Sequence, residues 1–252
     1  MSRATTALLA VFLPLPALAG DGVPDLRFTI GAGVAVSPEY YGSDDYVVGP
    51  TGSLQLGFVD LGPLQFGSLD DGESRGFSVK AAFRYLPERS ADDYPELAGL
   101  NDVDASYELG LGASYLTDTY EVFANLRYGF GGHEALVGTI GSDAIFRPSD
   151  RLTLRAGPRM DIGSADFNQT YFGVTAAEAG ASAFTEFDAG AGIYAVGIDL
   201  EAEYAVSDAW SIAGGVGYQH LVRDAADSPI TGDDDRFTAS IVLRREVTLD
   251  WR

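Results

Sequence analysis

The chain has 252 residues, no cysteine, 16 basic against 37 acidic side chains and a formal net charge of −21. That balance excludes nucleic acid as a partner, because phosphates need a basic face, and the missing cysteines exclude disulfide staples and thiolate metal sites. Thirty-one glycines and thirteen tyrosines suit a β-rich chain, and no Pro/Ser-rich stretch divides it, so one domain is expected.

Residues 1–19 read as a secretory signal peptide. One cation, Arg3, precedes an apolar run from Ala7 to Leu18, and the small-x-small sequence Ala17-Leu18-Ala19 marks a cleavage site. The run is short for a membrane anchor, and Pro14 and Pro16 interrupt it. Cleavage removes Arg3, takes the net charge to −22 and leaves 20–252 as a single domain. No later window approaches eighteen apolar residues. The remaining way to cross a membrane is therefore a closed barrel.

From Leu26 onward the apolar residues recur with period two, as in strands with one oily and one polar face. Leu26, Phe28, Ile30, Ala32, Val34 and Val36 oppose Arg27, Thr29, Gly31 and Gly33. The same pattern returns at Phe77–Tyr85, Tyr107–Tyr115, Tyr120–Tyr128, Trp210–Tyr218 and Phe237–Leu243. It is cleanest in RLTLRAGPRMDIG, where Leu152, Leu154, Ala156, Pro158, Met160 and Ile162 oppose Arg151, Arg155, Arg159 and Asp161.

Ten strands result, at 26–36, 47–58, 64–86, 103–116, 119–129, 135–147, 151–163, 184–206, 209–220 and 236–247. Tight turns at 59–63, 117–118, 148–150 and 207–208 alternate with long acidic loops at 37–46, 87–102, 164–183 and 221–235. FGGHE at 130–134 forms a shorter fifth loop. Two segments strain this count. LDDGES interrupts 64–86, and the apolar phase of 184–206 slips from odd positions (Phe187, Ala191, Ile193) to even ones (Val196, Ile198, Leu200), as a bulge near Tyr194 would cause. Splitting both segments gives twelve strands, the alternative count.

Alternation alone leaves open which face is outside. Segregation of short turns from long loops, and aromatic residues at the ends of the apolar rows, favour lipid outside over a soluble barrel. The expected fold is thus all-β, a transmembrane antiparallel up-and-down barrel in the bacterial outer membrane, with short periplasmic turns and long extracellular loops. Its lumen is lined by charges of both signs: Arg151, Arg155 and Arg159 against Glu108, Glu121, Asp199, Glu201 and Glu203.

Five segments carry a family resemblance in this order: SPEYYGSDDY (37–46), ELAGLNDVDASYELG (96–110), FGGHEALV (130–137), YFGVTAAEAGAS (171–182) and DAADSPI (224–230). Together they resemble the MipA/OmpV family, the MltA-interacting outer-membrane proteins. The resemblance implies a barrel that scaffolds a lytic murein transglycosylase and a murein synthase. Other members are associated with adhesion or osmotic response. The chain departs from the usual barrel ending, an aromatic last residue, by closing on Trp251 and Arg252.

Little catalytic chemistry is legible. His133 and His220 are the imidazoles, both expected as solvated rim residues, and no G-x-S-x-G nucleophile motif is present. The acidic pairs and runs Asp44–Asp45, Asp92–Asp93 and Asp233–Asp235 read as solvated loop faces, with binding of hard cations from the lipopolysaccharide layer as the alternative. Tyr171, Phe172, Gly173 and Val174 lie in an otherwise small and polar loop and are candidates for a lumen plug or partner-binding surface. So are Asp227, Ser228 and Pro229, which could equally fix a turn. The reading is a non-catalytic scaffold or interaction protein without cofactor or metal, in contact with outer-membrane lipid and lipopolysaccharide. A narrow pore or adhesin is the runner-up, and a barrel hydrolase is third.

Overall fold

The computed structural model describes residues 25–60, 65–67 and 75–249; the leader expected at 1–19 and the Trp251–Arg252 terminus lie outside them. Eleven strands form one antiparallel sheet: β1 (Leu26–Pro38), β2 (Tyr46–Asp60), β3 (Gln65–Gly67), β4 (Gly76–Leu86), β5 (Ser106–Leu116), β6 (Tyr120–Gly131), β7 (Leu136–Ser149), β8 (Leu152–Gly163), β9 (Gly192–Ala205), β10 (Trp210–Leu221) and β11 (Asp235–Leu249). From β4 to β11 each strand pairs with the next in sequence, and β11 returns to β1, with Leu26 opposite Leu249. Pairing of first with last strand curls the up-and-down meander round on itself, and among the described residues the ends of the curled sheet are β3 and β4.

Ten strands are long, and β3 is a three-residue piece on the edge of β2. Counting reversals round the ladder, β4 runs opposite to β2, so β3 and β4 share a direction. That shared direction is what the expected single crossing at 64–86 requires, and the LDDGES stretch itself lies outside the described residues. The expected crossing at 184–206 is shorter: β9 begins at Gly192, and the residues before it belong to the outer loop, where Phe187 bridges Val174. Opposite Asp161 and Ile162 stand Ala195 and Ile193, which leaves Tyr194 as the extra residue of a bulge. That bulge resets the apolar phase, and it turns Tyr194 inward, where it is fully buried.

The question of faces has a direct answer. The apolar row is bare, with Phe77 72%, Val48 70% and Leu111 64% exposed, while Glu108 on the opposite face is 0% exposed. An arrangement with greasy side chains outside and charges inside is stable only when lipid covers the exterior. Tyr107, Tyr115, Tyr120 and Tyr128 stand outward near the strand ends, where amphipathic rings favour the interface. Among the described residues no helix is long and apolar enough to span a membrane.

The long connections among the described residues leave the same end. They carry the 3-10 turn Pro95–Leu97 and the short helices α1 (Ala165–Phe172), α2 (Ala176–Ala181) and α3 (Asp224–Asp227). The described apolar core lies here, at the outer mouth, rather than in the middle of the barrel.

Candidate functional site

Helix α1 starts where Ser164 caps it, its side chain accepting the Phe167 N–H, and the helix lies across the mouth. Phe167, Tyr171 and Phe172 are buried on its inner side. Tyr41 from the β1–β2 loop packs edge-on against all three and against Tyr194, with ring centroids 5.2–6.1 Å apart. Such aromatic clusters gain from both buried area and edge-to-face electrostatics. The result is a stopper of five rings in the extracellular end of the barrel.

Loop-to-loop bonds hold the stopper. Arg89 is buried and donates to the carbonyls of Tyr171 (3.0 Å) and Thr170 (3.4 Å), placing a cation at the negative end of α1. Burial holds its guanidinium below the ordinary arginine range. Thr175 and Glu178 form a capping box on α2, and the other oxygen of Glu178 accepts the Asn101 N–H at 2.9 Å. Burial acts to raise the Glu178 carboxyl, but these hydrogen bonds win and hold it below the usual range. Val174 joins Leu97, Leu100 and Ile230 in a second apolar cluster. Gly42, at a φ of +86° suited to glycine, accepts the N–H groups of Gly232 and Asp233.

Beneath the stopper lies a polar hub. Arg84 and Glu108 are directly opposite on β4 and β5 and form a two-pronged pair at 2.7 and 2.8 Å. Arg127 donates to the same carboxylate at 2.8 Å, and His133 Nε2 lies 3.2 Å from it. Arg84 also reaches Tyr194 OH at 3.2 Å, tying β4 to the stopper. From the hub a hydrogen-bonded belt runs Arg127, Thr139, Asp161, Gln219, Arg236 round the inner wall, each link 2.7–3.0 Å. Arg236 stacks on the Tyr41 ring at 4.3 Å and so returns the belt to the stopper.

Of the residues singled out from sequence, Tyr171, Phe172, Gly173, Val174 and Ser228 are buried together in this outer mouth, whereas Asp227 is exposed. Ser228 Oγ donates to the Phe172 carbonyl at 2.6 Å. On the inner wall Glu121 meets Lys80 and Arg155, Arg159 meets Asp143 and Asp199, and Arg244 meets Glu201 and Glu203. Arg151 is a correction: it stands exposed in the turn between β7 and β8, outside the lumen row. His133 is another. Its side chain is 0% exposed, because Gly131 (φ +103°) turns the chain inward and Gly129 leaves the room its ring fills. His220 remains half-exposed at the rim, 2.9 Å from Asp235.

Sequence reasoning missed Arg84, Arg127, Tyr41 and Tyr194 as members of this assembly. The available signal was the polar-row pairing of Arg84 with Glu108. All five segments that carry the family resemblance send side chains or backbone into the outer mouth.

A family model described as "MltA-interacting protein MipA" matches residues 30–246. No curated protein sequence matches the chain. Among solved structures, an outer membrane channel from Pseudomonas putida F1 is similar at 11% identity and TM-score 0.46, covering 93% of this chain and 100% of that one. The NanC porin is similar at 10% identity and TM-score 0.40, covering 88% and 100%. The DcaP channel of Acinetobacter baumannii is similar at 7% identity and TM-score 0.37, covering 88% and 96%.

Proposed function

The chain belongs to the MipA family and is an outer-membrane β-barrel, and from that membership we propose that it is a non-catalytic scaffold for murein-remodelling enzymes. Its partners are a murein transglycosylase, in keeping with the family's description, and a murein synthase. One observation carries this reading: the segments that mark the family are spent on closing the extracellular mouth around Phe167, Tyr171 and Phe172. An extracellular end built to stay shut favours a role on the periplasmic side. His133 Nε2 lies against Glu108 and the ring packs on Phe167 and Tyr171 with its side chain wholly enclosed, which supports a structural rather than a catalytic histidine, although Nδ1 has no hydrogen-bond partner among the described residues. The periplasmic turns are short, so contact with the enzymes is small in area and weak, below about 1,200 Å² of total buried surface.

Immobilised full-length protein in detergent should retain purified transglycosylase and synthase together, with binding lost when the 117–119 and 150–151 turns are replaced. Retention of neither enzyme overturns the scaffold. A second reading, a gated narrow pore, is favoured by a cavity of about 160 Å³ inside the wall below the stopper, lined by Lys80, Ser114, Glu121, Phe123 and Asn125.

A further inference from the structure

Outside the stopper and its hub, one group of side chains combines nitrogen and oxygen donors. His220, at the extracellular end of β10, lies directly opposite Asp235 on β11. It shares the parity of Ile212 and Val216, which are exposed to lipid, so it faces outward. His220, Asp234 and Asp235 each offer a donor atom, and the three lie within 4.8 Å of one another. The imidazole stands between the carboxylates, 2.9 Å from Asp235 through Nδ1 and 3.8 Å from Asp234 through Nε2. Among the described residues neither carboxylate has a lysine or arginine partner, since the neighbouring Arg236 turns inward to Gln219 and Tyr41.

We propose that His220, Asp234 and Asp235 form an extracellular-rim site for a divalent transition-metal cation of the zinc class. The imidazole separates this group from the other acidic pairs. Asp44–Asp45 and Asp92–Asp93 are exposed carboxylates of the kind that only hard cations visit. One imidazole with two carboxylates suits Zn²⁺, with a fourth position left to water or an outer-leaflet phosphate. Donor atoms round a tetrahedral Zn²⁺ at about 2.0–2.2 Å stand roughly 3.3–3.6 Å apart. Rotation of three half-exposed side chains closes the gap from the observed separations. The Tyr218 hydroxyl donates to Asp235 Oδ1 at 2.7 Å, which leaves the second carboxylate oxygen to the cation, and its ring lies 5.0 Å from Phe237 on the same outward face, where the aromatic girdle meets the headgroups.

The test is calorimetric titration of chelator-stripped, full-length barrel in detergent with Zn²⁺ and, separately, Ca²⁺. One Zn²⁺ per chain is expected, bound at least tenfold more weakly by His220→Ala and by the double variant Asp234→Asn/Asp235→Asn. Asp92→Asn/Asp93→Asn should bind as the parent does. The proposal is overturned by a parent that binds no Zn²⁺, by His220→Ala binding Zn²⁺ unchanged, or by Ca²⁺ binding as tightly as Zn²⁺. Co²⁺ bound to the unsubstituted chain supplies a readout independent of variant folding: visible bands of a nitrogen-and-oxygen low-coordinate site are expected, and an octahedral aquo-like spectrum overturns the assignment.

Discussion

Ser228 Oγ donates to the main-chain carbonyl of Phe172 at 2.6 Å, joining the β10–β11 loop to the last residue of α1 across 56 positions of sequence. Both residues are buried, and the same hydroxyl accepts the Ile230 N–H at 3.2 Å. Ser228→Ala strands two backbone groups at once. The expected cost is about 1–3 kcal/mol per unsatisfied buried group, felt in the stopper rather than the barrel wall. Hydrogen exchange should quicken across residues 164–190, with strand amides unchanged. Asp227→Ala, one residue away but exposed, should leave exchange as it is. Equal effects of the two changes would mean that the bond holds nothing.

Glu108 is the only carboxylate bonded to Arg84, Arg127 and His133 among the described residues. Glu108→Ala leaves two guanidinium groups facing each other beneath the stopper, Arg127 buried and Arg84 partly so, and breaking a buried pair in this way costs up to about 3–5 kcal/mol. The midpoint of urea unfolding in detergent should fall accordingly. Arg84→Met with Glu108→Met removes charges of both signs and should cost less than Glu108→Ala alone. A double variant less stable than the single one would remove the hub from the account.

Much of the barrel was legible because period-two alternation is a local property: each strand carries its own record of which face is oily. Even the Tyr194 bulge left a trace, as a slip from odd to even apolar positions. The stopper left much less. The apolar Phe187 in the segment before Gly192 continues a strand-like phase, yet it pairs with Val174 in the loop cluster, a contact set by a bridge between loop segments. His133 read as a rim histidine because nothing in FGGHE says that Phe167 and Tyr171, more than thirty residues on, will cover it. Arg151 shares the parity of Arg155 and Arg159, but parity cannot say where a strand begins.

Burial pushes the Tyr171 phenol up to about 12, against a smaller lowering effect of the Ser106 hydroxyl 3.4 Å away. A phenol whose folded pKa lies above its unfolded value of about 10 favours folding through its neutral form. Its stabilisation is therefore complete below pH 10 and declines as pH rises from about 10 toward 12. Absorbance titration near 295 nm should show one late-ionising tyrosine fewer in Tyr171→Phe than in the parent. The variant should also lose part of the alkaline destabilisation. Loss of an ordinarily ionising tyrosine, with the late-ionising class unchanged, would mean that Tyr171 is not enclosed.

The stopper makes a prediction about conduction that distinguishes a shut barrel from a slow pore. Phe167 touches Tyr41, Tyr171, Tyr194 and His133, and the Arg84 guanidinium lies 6.0 Å over its ring. Phe167→Ala removes the ring common to the loop helix, the hub and the bulge, at about 3–5 kcal/mol. The strands keep their ladder, because no backbone hydrogen bond of the barrel depends on that side chain. The parent should give no stepwise current in a planar bilayer, and Phe167→Ala should give brief, irregular openings as α1 leaves the mouth. Steady channels in the parent would locate the conducting path elsewhere and favour the pore reading. Silence in a folded Phe167→Ala would mean that the belt of Arg127, Thr139, Asp161, Gln219 and Arg236 blocks the lumen by itself.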